Sequence, residues 1–276
     1  MSSTALAPAP PRYRFYRAAV VGARRVGASL VRVTFGGAEL ARFAGGGRDQ
    51  SVSLFLPHPG QSEPLLPPET VPDWFTAWRA MDPGVRAVMR SYTVREQRRE
   101  RAELDIDFVR HGDVGPASRW AGRVRPGDRV ALLGPAAPDE RTVRFRPPAG
   151  TDGVLLVADE TALPAVASIL SWLPAGTPAR VLVEVPDAGD AQPLPTAARA
   201  ELSWVVRGDG RSLPDAVRAA PLPSGTPYAW IAGESAMVRA VRRQLVGERG
   251  LDRRHVTFAG YWRRGLSEEQ LRAAGG

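Results

Sequence analysis

A chain of 276 residues, 43% of them apolar, has material for one large or two modest cores, which excludes a disordered or fibrous polymer. The absence of cysteine excludes disulfides, thiolate zinc sites, cysteine nucleophiles and cysteine-ligated iron–sulfur clusters, and His58, His111 and His255 lack ligand-like spacing, so no protein metal site is expected. The net charge of +8 is carried entirely by arginine, a compositional habit more than a nucleic-acid surface, and no apolar run reaches the roughly 20 residues that span a bilayer.

Met1 to Pro11 has no basic start followed by an apolar core, so residues 1–12 are expected to form a loose tail on a cytoplasmic, monomeric protein. Alternation over Tyr13–Val21 and Ala28–Phe35, with Gly22 and Gly27 bracketing a turn, predicts a hairpin. Gln50–Leu56 adds a strand, and Asp73 is placed to cap a short helix carrying Trp74, Phe75, Trp78 and Met81. A strand starts at Arg90–Thr93, the charged run Arg95–Arg101 reads as a solvated hairpin tip, and Glu103–Val109 alternates with Leu104, Ile106 and Phe108 on one face. A brief helix at Gly115–Ser118, a turn at Arg125–Asp128 and a strand at Val130–Leu133 follow. Short strands with two brief helices predict a small antiparallel β-barrel over residues 13–146.

Proline and glycine mark residues 147–153 as a linker. The rhythm then changes to strand and helix. Gly153–Ala158, Arg180–Val185, Leu202–Val206, Tyr228–Ala232 and His255–Ala259 read as strands. Ala162–Leu173, entered at Thr161, and Ser235–Gly247, with Met237, Val238, Val241 and Leu245 on one face, read as helices before a last helix from Ser267. Residues 154–276 are therefore expected to form an α/β, Rossmann-like nucleotide-binding domain.

The residue types suggest a flavin dinucleotide. The Arg90 guanidinium suits a phosphate, the Tyr92 ring an isoalloxazine face and the Thr93 hydroxyl the flavin edge. Gly115 to Ser118 opens a helix whose N-terminus suits a pyrophosphate. No Gly-x-Gly-x-x-Gly follows the first strand of the second half. Thr161 is read there as a helix cap, and Gly233-Glu234 falls on the same carboxyl edge, where a nicotinamide nucleotide would lie.

Taken together, Arg90-Ser91-Tyr92-Thr93-Val94-Arg95, His111-Gly112, Gly115-Pro116-Ala117-Ser118 with Trp120-Ala121, Ala158 to Ala165, Gly233-Glu234 and Gly260-Tyr261-Trp262-Arg263 resemble the siderophore-interacting proteins, flavin-dependent ferric-siderophore reductases related to ferredoxin reductases. The resemblance runs from about Tyr13 to Gly265. It implies that Arg90, Tyr92 and Thr93 hold FAD, that Gly115, Ala117 and Ser118 cradle its pyrophosphate, and that His111 sits beside it. Asp159, Thr161, Ala162, Gly233, Glu234 and Trp262 would border the junction with NADH or NADPH. Relatives carry basic residues near the places of Ser53 and Ala136, so Arg263 becomes the candidate contact to a ferric siderophore, with a neutral hydroxamate expected over a tris-catecholate. Glu184 leans the donor toward NADH. A general flavin or quinone reductase and a non-enzymatic siderophore carrier are the alternatives.

Overall fold

The computed structural model describes residues 12–68, 70–110, 115–138 and 142–273. Alternating apolar residues build a seven-stranded antiparallel sheet from β1 (Tyr13–Arg25), β2 (Leu30–Gly36), β3 (Ser51–Leu56), β4 (Val88–Thr93), β5 (Glu96–Arg98), β6 (Glu103–Val109) and β7 (Arg129–Pro135), in the order β4-β3-β7-β1-β2-β6-β5. The inward residues Tyr16, Val33, Phe35, Leu54, Ile106 and Phe108 are fully buried, and they curl the sheet into a half-barrel. Just past β4, the Arg95 N–H donates to the Asp105 carbonyl at 2.8 Å, drawing the two ends of the sheet together. Helix α1 (Trp74–Ala80), capped by Asp73, packs Trp74 and Trp78 against Phe55 outside this core.

Two local expectations are corrected. Gly22 does not begin a turn; it lies inside β1, where the pairing with β2 shifts between Val20 and Gly22 and leaves Val21 as the extra, exposed residue of a bulge. Nor is Arg95–Arg101 a solvated tip throughout. Glu96–Arg98 pairs with β6, and the Arg98 guanidinium donates to Glu103 and to both Asp105 oxygens, so cross-strand ion pairs hold it in the sheet.

The second sheet is parallel: β8 (Gly153–Ala158), β9 (Pro178–Val185), β10 (Arg199–Val206), β11 (Pro227–Glu234) and β12 (Val256–Trp262), ordered β10-β9-β8-β11-β12. The central strands β8, β9 and β11 alternate between two buried faces. Val154, Leu156 and Ala158 meet α3 (Leu163–Trp172), whereas Leu155 and Val157 meet α4 (Leu213–Ala219) and α5 (Ser235–Arg243). Strand order reverses between β8 and β11, the point at which sheets of this kind open a ligand crevice.

Buried carboxylates join the halves. Asp49, from the barrel, accepts from the Trp230 indole N–H at 3.0 Å and from the backbone N–H groups of Arg144 and Phe145. Asp190, from the α/β half, accepts from the Ser29 N–H and hydroxyl at 2.7 and 2.6 Å. These bonds set the end of β4 beside the carboxyl edge of the parallel sheet, where the Tyr261 phenol of β12 comes within electrostatic reach of Thr93.

Candidate functional site

Strand β4 supplies the barrel's share. Alternation turns Tyr92 toward the core, where its half-buried ring lies 4.5 Å from the Phe108 ring and burial pushes its phenol pKa up, with the Glu268 carboxylate adding to the rise. Thr93 is buried, and the phenol of nearby Tyr261 is pushed up by burial first and by Asp49 second. Arg90 and Ser91 face a different partner. The helix α6 (Glu268–Ala273), led by Ser267, sets Glu269 Oε1 2.5 Å from Arg90 Nη1 and Glu268 Oε2 3.7 Å from Arg90 Nε, while the Ser91 N–H donates to Glu268 Oε1 at 3.0 Å.

The loop before α2 (Pro116–Ala121) opens with Gly115 as N-cap, with proline in the first turn and no side-chain cap. Among the described residues, a Cβ on Gly115 would meet nothing within 4 Å. Ala117 turns its methyl into the barrel core, leaving only its backbone to serve a cofactor. His111 lies outside the described residues, as does the expected N-terminal tail to Pro11.

Asp159, just past β8, organises the sheet's share. Its Oδ1 accepts from the Thr161 N–H and hydroxyl at 2.9 and 2.5 Å, and its Oδ2 from the Glu234 N–H at 2.7 Å and the Trp262 indole at 2.8 Å. Burial and the adjacent Glu160 raise its pKa, and the Thr161, Trp262 and Glu234 donors pull it back. Each of these contacts is a donor, and together they offset part of the burial that opposes the ionised form. Gly233, at φ 138°, is required here because a Cβ would stand 2.5 Å from the Asp159 carboxyl carbon. Glu234 caps α5 through the Ala236 and Met237 N–H groups at 2.6 and 3.0 Å; burial opposes its ionisation, but the backbone donors hold its pKa low.

Thr161 does not cap α3. The N-cap is Ala162, without a side-chain bond, because the Thr161 hydroxyl is committed to Asp159. Glu184 is not a free surface carboxylate either. Arg207 donates to it through Nε at 2.9 Å and forks onto the fully buried Glu160 at 3.1 and 2.6 Å. Arg263 is exposed in the turn between β12 and α6.

Sequence reasoning missed Asp49, Asp190, the Glu160–Arg207 pair and the Glu268–Glu269 contacts. Each joins residues more than 40 positions apart, so no local spacing announces them. Tyr261 was visible in the quoted motif, although its approach to Thr93 was not.

Residues 19–139 match the siderophore-interacting FAD-binding domain, and residues 151–265 match the siderophore-interacting protein family. The chain belongs to the siderophore-interacting protein family. It is 31% identical over 249 residues to the ferric vibriobactin reductase ViuB of Vibrio cholerae, covering 88% of each chain. It superposes on the siderophore-interacting protein SipS from Aeromonas hydrophila with a TM-score of 0.77 at 33% identity, covering 96% of this chain and 97% of that one. The ferredoxin reductase of carbazole 1,9a-dioxygenase shares the fold, with a TM-score of 0.66 at 18% identity over 92% of this chain and 71% of that one. Chains of this family bind FAD in the N-terminal half. The residues present fit it, since Arg90 and the Ser91 N–H already hold anions, the carboxylates of α6.

Proposed function

We propose that this protein reduces ferric siderophores, taking electrons from a nicotinamide nucleotide by way of FAD and releasing Fe(II). The observation that carries the reading is that the Asp49–Trp230 and Ser29–Asp190 bonds join the barrel bearing the flavin motif of β4 to the parallel sheet whose carboxyl edge bears Asp159 and Trp262. Bound FAD supplies the conversion of an electron pair into the single electrons that ferric iron accepts. The chain's own residues bind and orient. Arg90 would hold a phosphate, Tyr92 and Thr93 the ring system, and Gly115 with the Ala117 and Ser118 backbone the pyrophosphate. Asp159 fixes the Trp262 indole and the turn of Gly233 and Glu234 at the rim where a nicotinamide would enter, with Thr161 and Ala162 as its floor. With Fe(III) reduced, hard oxygen ligands hold the metal less tightly and the chelate opens.

NADH is the favoured donor. The Arg207 charge is answered by both Glu160 and Glu184, so the cluster carries one net negative charge where a 2′-phosphate would require a positive one. Arg263, exposed and beside Trp262, is the first candidate for the ferric chelate, and the uncharged Ser53 and Ala136 favour a neutral hydroxamate complex. The deciding assay follows Fe(II) capture by a ferrous chelator under anaerobic conditions, with FAD, NADH or NADPH, and a ferric hydroxamate or tris-catecholate. Faster reduction of free flavin or a quinone than of any ferric chelate refutes the proposal. Clear preference for NADPH refutes the donor assignment alone. Arg263→Ala is expected to raise the KM for an anionic chelate roughly fivefold to thirtyfold while leaving flavin reduction unchanged.

A further inference from the structure

The contacts between β4 and α6 set like against like. The groups suited to a flavin phosphate, the Arg90 guanidinium and the outward Ser91 N–H on an edge strand, are met by two carboxylates from a segment 177 to 179 residues downstream. The Arg90 side chain is thereby only 13% exposed, so it cannot keep these partners and also fork onto a phosphate.

Helix α6 is six residues long, below the length at which a helix is stable on its own. Leu266, which leads into it, is exposed, and Leu271 is only half-buried. The turn before it contains Gly265 at φ 81°, with open space around its Cα, a place where the backbone can pivot. Within the helix, Ser267 and Gln270 bond each other reciprocally, so the first turn keeps its cap whether or not it is docked. Burial opposes ionisation of Glu269, but its backbone bond and the Arg90 charge draw its pKa below the ordinary value.

We infer that α6 is an intramolecular competitor for the flavin: Glu268 and Glu269 stand in for the cofactor's anionic phosphates on Arg90 and Ser91, and FAD binding requires the helix to leave β4. This rests on the assignment of Arg90 to the flavin. The helix therefore lowers flavin affinity, and flavin departure is compensated by its return. A weak exchange of one anion for another lets FAD come and go without exposing a bare buried cation.

The test is a titration of FAD into full-length apoprotein, by flavin fluorescence, for the wild type and the Glu268→Gln/Glu269→Gln double variant. Amide hydrogen exchange over residues 267–273 is followed in parallel, with and without FAD. The double variant is expected to bind FAD about threefold to tenfold more tightly, the range of a partly exposed charge cluster. In the wild type, FAD is expected to speed exchange in 267–273. An unchanged or weaker affinity in the double variant overturns the inference, as does unchanged or slower exchange on flavin addition. Thermal melting of both proteins guards against a folding defect, and the single Glu269→Gln variant, with an intermediate affinity expected, repeats the measurement if the double variant melts early. Failure of the underlying assignment reads differently: Arg90→Ala would then take up FAD as the wild type does.

Discussion

On the barrel side of the site, Arg90 and Ser91 engage carboxylates that lie partly in solvent and belong to a six-residue helix. On the sheet side, Asp159 and Glu160 are almost fully buried, and every nearby group is committed to them: Thr161, Glu234 and Trp262 to one, Arg207 to the other. The difference separates two kinds of electrostatic work. Partly screened charges on an edge strand can trade one anion for another at small cost. Desolvated carboxylates under several donors hold a shape and cannot be exchanged without losing it. On the proposed reading, the first edge takes up a ligand and the second keeps fixed the rim that the ligand meets.

The largest effect should come from the second edge. Asp159→Ala strands the Trp262 indole, the Glu234 N–H and the Thr161 donors together, and a loss of about 3 kcal/mol or more is expected by denaturant unfolding. A loss under about 1 kcal/mol would show that water satisfies these donors and that the rim is looser than described. Glu160→Gln breaks the buried fork with Arg207 at about 2 to 3 kcal/mol, reduced from the fully buried value because Arg207 is one-third exposed. The same variant should narrow the NADH preference, which NADPH kinetics would register.

Arg90→Ala acts on the first edge and should separate binding from stability. Flavin affinity is expected to fall well over tenfold, by about 1.5 to 3 kcal/mol, with little change in apoprotein melting. Equal flavin content in the mutant and wild type would move the phosphate site elsewhere.

The pH response distinguishes the two regions by sign. Burial opposes ionisation of Asp105 in the barrel, but Arg98 and Thr34 hold its pKa below the ordinary value. Its stabilisation is present above the ordinary aspartate range, near about 4, and is lost as pH falls through the folded value. Asp159 is raised, so around that range the folded state binds the extra proton and this group's contribution declines as pH rises. Asp105→Asn should accordingly flatten the acid limb of stability, and Asp159→Asn should steepen it. The smallest effect is expected at Asp252, held down to about 2 by Arg254 in an exposed pair, where Asp252→Ala should leave the melting temperature unmoved.

The sequence by itself determined the two architectures and most of the motif positions. Period-two alternation over β1, β2 and β6 specifies a half-buried antiparallel sheet, and continuous apolar runs such as Gly153–Ala158 specify strands buried on both faces; both signals are local and survive without knowledge of neighbours. Arg90 through Thr93 and Gly233-Glu234 were legible because a cation, an aromatic ring, a hydroxyl and a glycine turn lie within a few residues. Where Gly22 was read as a stop, the bulge opposite β2 let β1 continue, a choice made by the partner strand. Only the tertiary structure decided that Thr161 serves Asp159 instead of capping α3, that Glu184 is tied to Arg207, and that two glutamates at the far end of the chain sit on Arg90. Hydrogen bonds and ion pairs of this kind depend on a few tenths of an ångström between residues brought together by folding, and sequence spacing carries no measure of that distance.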